Sequence, residues 1–566
     1  MSLERHPKGT RARILLTSVF GPYAQDDEYG SRIINPVELY HNQVTRVQGP
    51  FSLRMFHRSW GIMMIQENIA APSTLLDFPS LSQFILQIRD HEYDIIGISS
   101  IIPNVGKVRK MCELIRQYQP HCTIVVGGHV AGLSDAAERF DADHIVKGEG
   151  ISWFRRFLGQ EQTDPIQHPE IFSGFGGRTM GVKLSHAPQH TAATLIPSVG
   201  CPVGCNFCCT SAMFGGKGNF VNFFETGSEL FQIMARMEER MKVRSFFVMD
   251  ENFLLHRKRA LELLELMKKH EKPWSLYVFS SGRTIQSYSM EELVGLGISW
   301  VWMGLEGEDA TYAKLRNLNT RELVRNLHAN GIRVLGSSII GLENHTPENI
   351  DDVIDYAVAH ETDFHQFMLY TPMPGTPLYA EHQAKGTLLM DVDHADTHGQ
   401  HAFNFAHPHI SREDSGKFLL RAFERDYEVN GPSVMRIART LLEGLKRHKN
   451  HPEKRVRERY RHEAQALTFG YSGALWAMER YFRSTNAPLT EKIRQLRADF
   501  GRELGFVSRL ASPVIGRAVY HMIRREEKRL NEGWTYQPPM FVEQRNWETL
   551  ARATVAPVLD PVPQTQ

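Results

Sequence analysis

The stretch Cys201-Pro-Val-Gly-Cys205-Asn-Phe-Cys208 decides how this chain of 566 residues is organised. Its three cysteines follow a C-x₃-C-x₂-C pattern in a loop broken by glycine and proline, directly after an apolar run at 194–199 that predicts a strand. Three thiolates on one short loop can bind three irons of a cubic [4Fe–4S] cluster and leave the fourth iron open. Zinc is the alternative, but structural zinc takes four tight ligands. We expect the adjacent Cys209 not to take part.

An aromatic residue, Phe207, stands directly before the third cysteine. With this residue and the preceding strand, the loop resembles the signature of the radical S-adenosylmethionine (SAM) enzymes. In that family the open iron binds SAM, and the reduced cluster cleaves SAM to a 5′-deoxyadenosyl radical. The resemblance implies that Cys201, Cys205 and Cys208 are the catalytic cluster ligands and that Phe207 lies at the cofactor. It also implies an electron donor of flavodoxin or ferredoxin type.

Composition sets limits on the class of protein. The length allows about two to four domains with sizeable cores. An apolar fraction of 42% and a charged fraction of 23% are typical of a globular protein, and the net charge of +1 gives no overall field for nucleic acid. The first residues lack a signal-peptide core, and no transmembrane helix is predicted, so we expect a cytoplasmic protein. Six cysteines, three of them clustered, indicate metal ligation rather than disulfides.

Residues 10–155 alternate apolar runs with amphipathic stretches. This pattern predicts an α/β domain, Rossmann-like, with a parallel sheet whose ligands bind at the carboxyl ends of the strands. The candidate binding residues at those ends are Ser99, Ser100, Asn104, Gly127, Gly128, His129 and Glu149. Taken alone, the same pattern also fits a flavodoxin-like structural domain.

Placed before the cysteine loop, this region resembles the cobalamin-binding domain of the cobalamin-dependent radical SAM enzymes. The segments Val125-Val-Gly-Gly-His129 and Lys147-Gly-Glu-Gly150 are similar to the later strands of that family. The chain departs from other cobalamin proteins because it has no D-x-H-x-x-G motif, and neither His41 nor His57 fits one. Radical methylases of this class commonly lack that histidine, so the resemblance implies cobalamin without a histidine lower ligand.

Residues 190–385 carry six predicted strand–helix units, a count that matches the partial (β/α)₆ barrel of the radical SAM family. Chemistry in such barrels lies at the carboxyl ends of the strands. The polar residues at those ends are Asp250, Glu251, Arg283 and Glu306. By resemblance, Asp250 and Glu251 lie near the amino group or ribose of SAM, Arg283 pairs with its carboxylate, and Glu306 takes the ribose. A cap or salt bridge at a strand–helix junction is the alternative for each.

Residues 386–550 are predicted to be mostly helical, with a disordered tail over 551–566. Five histidines within 391–410 fit no common zinc spacing, so a loop over the barrel mouth is favoured over a second metal site. Further on, basic residues alternate with aromatic ones. Such a pattern fits a solvated helical face, or a surface that rests on an anionic membrane and gives access to a lipid. No nucleic-acid-binding module is visible.

The sequence therefore predicts a cobalamin-dependent radical SAM enzyme that methylates an unactivated carbon of a small or lipid-like molecule. Two alternatives stay open. One is a radical SAM enzyme that cyclises, couples or oxidises its substrate without methylating it. The other is a protein that binds these cofactors but does not turn over.

Overall fold

The computed structural model describes residues 5–21, 29, 39–305, 318–534 and 540–547. Within these ranges the chain forms a six-stranded sheet, a seven-stranded half-barrel, two small sheets and a helical region. The predicted order of a Rossmann-like domain, a partial barrel and a mostly helical region is confirmed. Glu306 and the tail over 551–566 lie outside the described residues.

The first part of the chain supplies an open sheet and the helices that cover it. Its strands are β1 (Ile14–Thr17), β2 (Arg54–Phe56), β3 (Ser73–Asp77), β4 (Ile95–Ser100), β5 (Thr123–Gly128) and β6 (His144–Ile145). Its helices are α1 (Trp60–Glu67), α2 (Leu81–Asp90), α3 (Val105–Tyr118), α4 (Ala136–Arg139) and α5 (Gly150–Phe157). Strands β3, β1, β4, β5 and β6 lie side by side in parallel, whereas β2 pairs outside this sheet. Their carboxyl ends therefore meet along one edge.

The middle of the chain supplies the half-barrel. Its strands and the short pairs beside them are β7 (Phe172–Ser173), β8 (Phe175–Thr179), β9 (Val182–Lys183), β10 (Ala192–Leu195), β11 (Ser198–Val199), β12 (Val221–Asn222), β13 (Ser245–Val248), β14 (Ser275–Phe279), β15 (Ile298–Gly304), β16 (Arg333–Ile340) and β17 (Phe364–Leu369). Its helices are α6 (Cys209–Met213), α7 (Gly227–Met241), α8 (Arg257–Lys269), α9 (Gly282–Gln286), α10 (Met290–Gly295), α11 (Thr320–Ala329), α12 (Ile350–Val358) and α13 (Pro377–Ala384). Strands β10 and β13 to β17 are parallel neighbours in chain order, which are the six predicted units.

Aromatic rings fill the inside of the half-barrel. Along β15 the residues alternate between buried and half-buried, as expected when one face packs on helices and the other lines the barrel. Trp300 stacks on Phe364 with ring centroids 5.2 Å apart. Tyr40, from the segment before β2, packs on the same phenylalanine at 5.5 Å, and His57 stacks on Phe247 at 5.7 Å. The segment between β1 and α1 of the first domain thus packs into the half-barrel and connects the two domains.

The last part of the chain is helical except for one strand. Its elements are α14 (Arg412–Asn430), α15 (Ser433–His448), α16 (Lys454–Glu463), α17 (Gly470–Phe482), α18 (Ala487–Glu503), α19 (Gly505–Asn531) and β18 (Phe541–Arg545). Strand β18 pairs antiparallel with β3 and so becomes the edge of the first sheet. Arg58 binds Asp77 of β3 at 3.0 Å and lies 4.1 Å from the ring centroid of Phe541. The helical prediction for this region therefore holds for all but its last strand.

Candidate functional site

A cleft of about 1040 Å³, its open mouth included, lies between the first sheet and the half-barrel. One wall is the carboxyl edge of the first sheet, with Ser99, Gly127 and Gly128 from β4 and β5, and with Glu149 directly before α5. The opposite wall comes from the barrel and from segments on either side of the cysteine loop, and it contains Val199, Met213, Phe214, Phe223, Met249 and Glu251. The predicted ligand-binding ends of both domains therefore face one shared space.

Glycines shape the sheet side of the cleft. A Cβ atom on Gly97 would lie 3.0 Å from Leu16 Cδ2 and 3.3 Å from Phe154 Cζ, so the strand surface has no room for a side chain there. Gly128 has a φ of +79°, and a Cβ atom on it would lie 2.4 Å from the carbonyl oxygen of Ser100. Gly127 differs from these two, because only the Val146 carbonyl oxygen lies within 4 Å of its Cβ position, so a narrow slot is open beside it at the end of β5. A large cofactor that enters between strands fits such a slot, so the residues present are compatible with cobalamin.

The polar residues predicted at this edge take different positions. Ser99 lines the cleft, and the Ser100 hydroxyl is buried without a hydrogen-bond partner among the described residues. The Glu149 carboxylate accepts hydrogen bonds from the backbone N–H groups of Ile151 and Ser152 and so caps α5. Asn104 and His129 are not among the described residues that line the cleft. Asn104 is buried, ending a 3₁₀ turn before α3, and burial lowers the pKa of His129.

The cysteine loop brings its thiols close to one another. The pKa of the Cys201 thiol is raised to about 11, mainly by burial and in smaller part by the neighbouring thiols of Cys208 and Cys205. Cys208 Sγ accepts a hydrogen bond from the Ser211 N–H at 3.4 Å, while Ser211 Oγ donates to the Cys201 carbonyl oxygen at 2.9 Å. The start of α6 thereby holds both ends of the loop. Burial also raises the pKa of the Cys209 thiol, to about 12.

The three thiols fit a cluster better than a single ion. No group of three or more His, Cys, Asp or Glu side chains in the described part of the chain is arranged to hold one metal ion. A [4Fe–4S] cluster requires a different arrangement, because each thiolate binds its own iron. Phe207, which precedes the last of these cysteines, packs against the core that contains Leu378 and Tyr370. The chemistry of the donor set, three thiols on a half-buried loop, thus suits the cluster.

The two carboxylates at the end of β13 differ in their hydrogen-bond and ion-pair partners. Asp250 forms a buried ion pair with Arg259, accepts a hydrogen bond from Ser198 Oγ at 2.6 Å and caps the Asn252 N–H at 3.0 Å. It thus has the junction role that we considered as its alternative, and its contact with SAM stays a prediction. Glu251 lines the cleft, and its buried Oε2 has no partner among the described residues. Burial raises the pKa of Glu251 to about 7.

The remaining predicted strand-end residues are less informative. Arg283 is exposed on α9, next to Ser281, whose hydroxyl caps that helix. Its pairing with the SAM carboxylate stays a prediction, and Glu306 lies outside the described residues. Sequence reasoning did not identify the apolar wall of Met213, Phe214 and Met249. The cysteine motif does not indicate that wall, because its three residues come from two segments outside the motif, one at the end of α6 and one after β13.

The histidine-rich segment is a loop that packs over the end of the barrel. The backbone N–H of Leu369, the last residue of β17, donates to the Gly399 carbonyl oxygen at 2.8 Å. His407 Nε2 lies 3.0 Å from the carbonyl oxygen of Leu342. These contacts support the interpretation as a covering loop. Among the helices that the structure describes, none is long and apolar enough to cross a membrane.

Two family models match the chain in the same order as the two domains. The B12 binding domain matches residues 64–158, and the radical SAM superfamily matches residues 195–357. The chain therefore contains a radical SAM domain and a B12-binding domain. The radical SAM domain implies a [4Fe–4S] cluster and SAM, and the B12-binding domain implies cobalamin.

Curated relatives of this B12-binding radical SAM protein include several methyltransferases. A bacteriochlorophyllide d C-12(1)-methyltransferase of Chlorobaculum tepidum is 30% identical over 49% of this chain and 59% of its own length. A hopanoid C-2 methylase of Rhodopseudomonas palustris is 24% identical over 59% of this chain and 63% of its own length. An anaerobic magnesium-protoporphyrin IX monomethyl ester cyclase of Rubrivivax gelatinosus is 22% identical over 51% of this chain and 58% of its own length. The chain thus spans less than two thirds of each of these relatives.

Among solved structures, the chain is similar to the radical SAM methyltransferase TsrM from Kitasatospora setae, a structure with cobalamin and a [4Fe–4S] cluster bound. The match has 15% identity and a TM-score of 0.46, and it covers 80% of this chain and 99% of that one.

Proposed function

We propose that this protein is a cobalamin-dependent radical SAM enzyme that transfers a methyl group to an unactivated carbon of an apolar small molecule. The observation that carries this proposal is the shared cleft. It brings the glycine edge of the B12-binding domain and the end of β13, with Glu251, to one space. Two cofactors that act on one substrate need such an arrangement.

The residues of the chain have separate roles in this proposal. Cys201, Cys205 and Cys208 hold the cluster, and the slot beside Gly97 and Gly127 holds cobalamin. When bound, the cofactors supply the radical that activates a C–H bond and the methyl group that replaces its hydrogen. The apolar wall of the cleft excludes water from the reacting groups. The unpartnered Glu251 oxygen accepts a hydrogen bond from a polar group of the bound SAM.

The substrate class follows from the lining of the cleft and from the relatives. The wall that faces the B12-binding domain is mainly apolar. The named relatives act on a bacteriochlorophyllide and on a hopanoid, which are both large, ring-containing, mainly apolar molecules. We therefore propose a polycyclic or isoprenoid substrate for this enzyme.

Isotope transfer from SAM tests the methyl transfer. The full chain, purified without oxygen and loaded with cluster and cobalamin, is incubated with a chemical reductant, candidate tetrapyrroles or isoprenoids, and SAM with a trideuterated methyl group. A product heavier by one trideuterated methyl group supports the proposal. The proposal would be overturned if the enzyme released deoxyadenosine and consumed a substrate but formed no methylated product. No SAM cleavage at all would point to a cofactor-binding protein without turnover.

The similarity to a cyclase favours one second candidate. Because a magnesium-protoporphyrin ester cyclase is among the relatives, a non-methylating radical reaction such as ring closure is the alternative. The same assay separates the two, since a cyclised product carries no trideuterated methyl group from SAM.

The helical region suggests how an apolar substrate is reached. Helix α19 exposes Phe506, Val507, Leu510 and Val514, each at least 57% exposed, in its first half. Exposed basic residues follow on the same helix, and they are Arg517, Arg524, Arg525 and Lys528. An apolar stretch beside a basic one suits the surface of an anionic bilayer, so we propose peripheral membrane contact through α19.

Vesicle sedimentation tests the membrane contact. The full chain should sediment with vesicles that contain phosphatidylserine and less with pure phosphatidylcholine. Leu510→Ser combined with Val514→Ser should abolish that difference. Leu86→Ser on α2 is the control, since Leu86 is also 46% exposed but lies in the B12-binding domain. Equal binding of all three proteins would contradict the proposal.

A further inference from the structure

The outer side of the cysteine loop forms a patch, called here the loop face, made by the exposed Val203, Lys217, Leu255 and Lys258 and the half-buried His256. Val203 is 38% exposed and Leu255 is 40% exposed, which makes them two of the larger apolar side chains left in solvent. Lys217 and Lys258 are exposed, and neither has a salt-bridge partner among the described residues.

Close contacts make the loop face continuous. The Gly218 N–H donates to the Pro202 carbonyl oxygen at 2.8 Å. A Cβ atom on Gly204 would lie 2.4 Å from Lys217 Cα, so residues 215–218 lie directly on the cysteine loop. The ring centroids of Phe220 and His256 are 5.0 Å apart, which joins this loop to the start of α8. The patch therefore spans the loop and the neighbouring helix.

The loop face lies very near the cluster ligands. Val203 stands two residues after Cys201 and two residues before Cys205. Because consecutive Cα atoms are 3.8 Å apart, its Cα lies within about 7.6 Å of the Cα atoms of both ligands. A molecule seated on Val203 is thus separated from the cluster by little more than the loop itself.

The charges around the patch favour an anionic partner. Lys217 and Lys258 are cationic, while the nearby Arg257 is paired with Glu292 at 2.7 Å. The opposing charges are the exposed Glu225, in the turn before α7, and Glu262, four residues after Lys258 on α8, whose carboxylate accepts hydrogen bonds from the Gly227 and Ser228 N–H groups. A small apolar centre beside cationic side chains is typical of transient interfaces, in which charge steers the encounter. Electron-transfer complexes belong to this small, weak class.

We propose that the loop face is the docking site for an acidic one-electron carrier protein, an inference that rests on the cluster of the proposed function. In each encounter one electron leaves the reduced carrier and enters the cluster held by Cys201, Cys205 and Cys208. The carrier is oxidised by one electron and the cluster is reduced by one. Lys217 and Lys258 attract the carrier, and Val203 and Leu255 form the contact.

Stopped-flow reduction of the cluster tests the docking site. The loaded full chain is mixed with reduced flavodoxin, an acidic carrier, and the loss of cluster absorbance gives a second-order rate constant at several salt concentrations. The double variant Lys217→Glu, Lys258→Glu should lower that constant about tenfold or more at low salt, because repulsion replaces steering. Added salt should reduce the difference in rate constant between the variant and the unsubstituted protein. Oxidised flavodoxin, with which no electron moves, should also bind the variant more weakly.

The control variant is Lys183→Glu combined with Lys269→Glu. Both lysines are exposed, and Lys269 lies at the opposite end of α8 from Lys258. An equal loss of rate in the control and test variants would overturn the proposal, as would an unchanged rate in the test variant. Reduction by dithionite, which needs no docking site, should be the same in all proteins. Methyl transfer driven by dithionite measures the proposed function without the carrier. A wrong docking site can therefore be distinguished from a wrong proposed function.

Discussion

Asp250 and Arg259 form an ion pair at the carboxyl end of β13, and each of the two side chains is only 2% exposed. The guanidinium also donates to the carbonyl oxygen of Phe224 at 3.1 Å and to Asn222 Oδ1 at 3.2 Å. This pair therefore ties β13 and α8 to the segment that follows the cysteine loop. Its place beside Glu251 makes it a support for the cleft.

Removal of the cation should destabilise the protein. Arg259→Met leaves a buried carboxylate without its partner and should lower the free energy of unfolding by about 3–5 kcal/mol. Arg257→Met removes the half-exposed pair with Glu292 on the same helix, and that loss should be at most about 1 kcal/mol. Chemical denaturation of both variants measures the difference. Similar losses in the two variants would contradict a structural role for the Asp250 pair.

The cysteines should divide into three ligands and one bystander. Substitution of Cys201, Cys205 or Cys208 by Ala should abolish the cluster, because each thiolate binds a different iron. Cys209→Ala should leave the iron content and the visible absorbance of the reconstituted protein unchanged. Loss of the cluster in Cys209→Ala would show that the ligand assignment is wrong.

The glycine edge should control cobalamin binding. A Cβ atom on Gly127 would have only the Val146 carbonyl oxygen within 4 Å, at 3.8 Å, so the fold can accept a side chain there. Gly127→Val should place methyl groups in the cleft and lower the cobalamin content per chain severalfold, with little change in thermal stability. Gly470→Val is the control, because nothing lies within 4 Å of a Cβ atom at that position on α17. Full cobalamin loading of Gly127→Val would show that cobalamin does not bind beside Gly127.

A buried histidine should make stability depend on pH. Burial lowers the pKa of His365 to about 3, and its ring stacks on Phe367 at 4.1 Å between Ser338 and Thr362. An unfolded histidine has a pKa of about 6.5, so between about pH 6 and pH 4 only the unfolded state binds this proton. Stability then falls as the pH falls, by up to about 1.4 kcal/mol per pH unit for this group.

The variant His365→Gln isolates this contribution. It should be less stable at pH 7.5, but its free energy of unfolding should fall less steeply with decreasing pH by up to about 1.4 kcal/mol per unit. Urea denaturation at several pH values measures the two slopes. The exposed His91→Gln is the comparison variant. An unchanged slope in His365→Gln would mean that this residue does not titrate on unfolding.

The sequence was sufficient for the order of the domains and for the six strand–helix units of the barrel, because both depend on local patterns. It could not separate Asp250 from Glu251. Adjacent residues at a strand end point to opposite sides, so one of them meets Arg259 and the other meets the cleft. Which side is which depends on packing between distant segments. The capping role of Glu149 depends in the same way on where α5 begins.

The pairing of β18 was also beyond a local pattern. The run Phe541–Arg545 has the length of a strand, but its sequence does not identify β3 as the strand with which it pairs. Because the preceding residues form helices, we expected the whole of residues 386–550 to be mostly helical. Non-local pairing of this kind is where interpretation from a single sequence fails most readily.

Strand β18 has a consequence for how the protein is made. Trp547 Nε1 donates to the Ser73 carbonyl oxygen across 474 positions of sequence. During synthesis, β3 therefore emerges from the ribosome long before its neighbour exists, and it presents an open edge throughout that time. The B12-binding domain becomes complete only after the barrel and the helical region have been made. A strand translated after the barrel and the helical region thus covers the edge of a sheet translated before them, and a chain cut short before residue 541 would leave the edge of β3 unpaired.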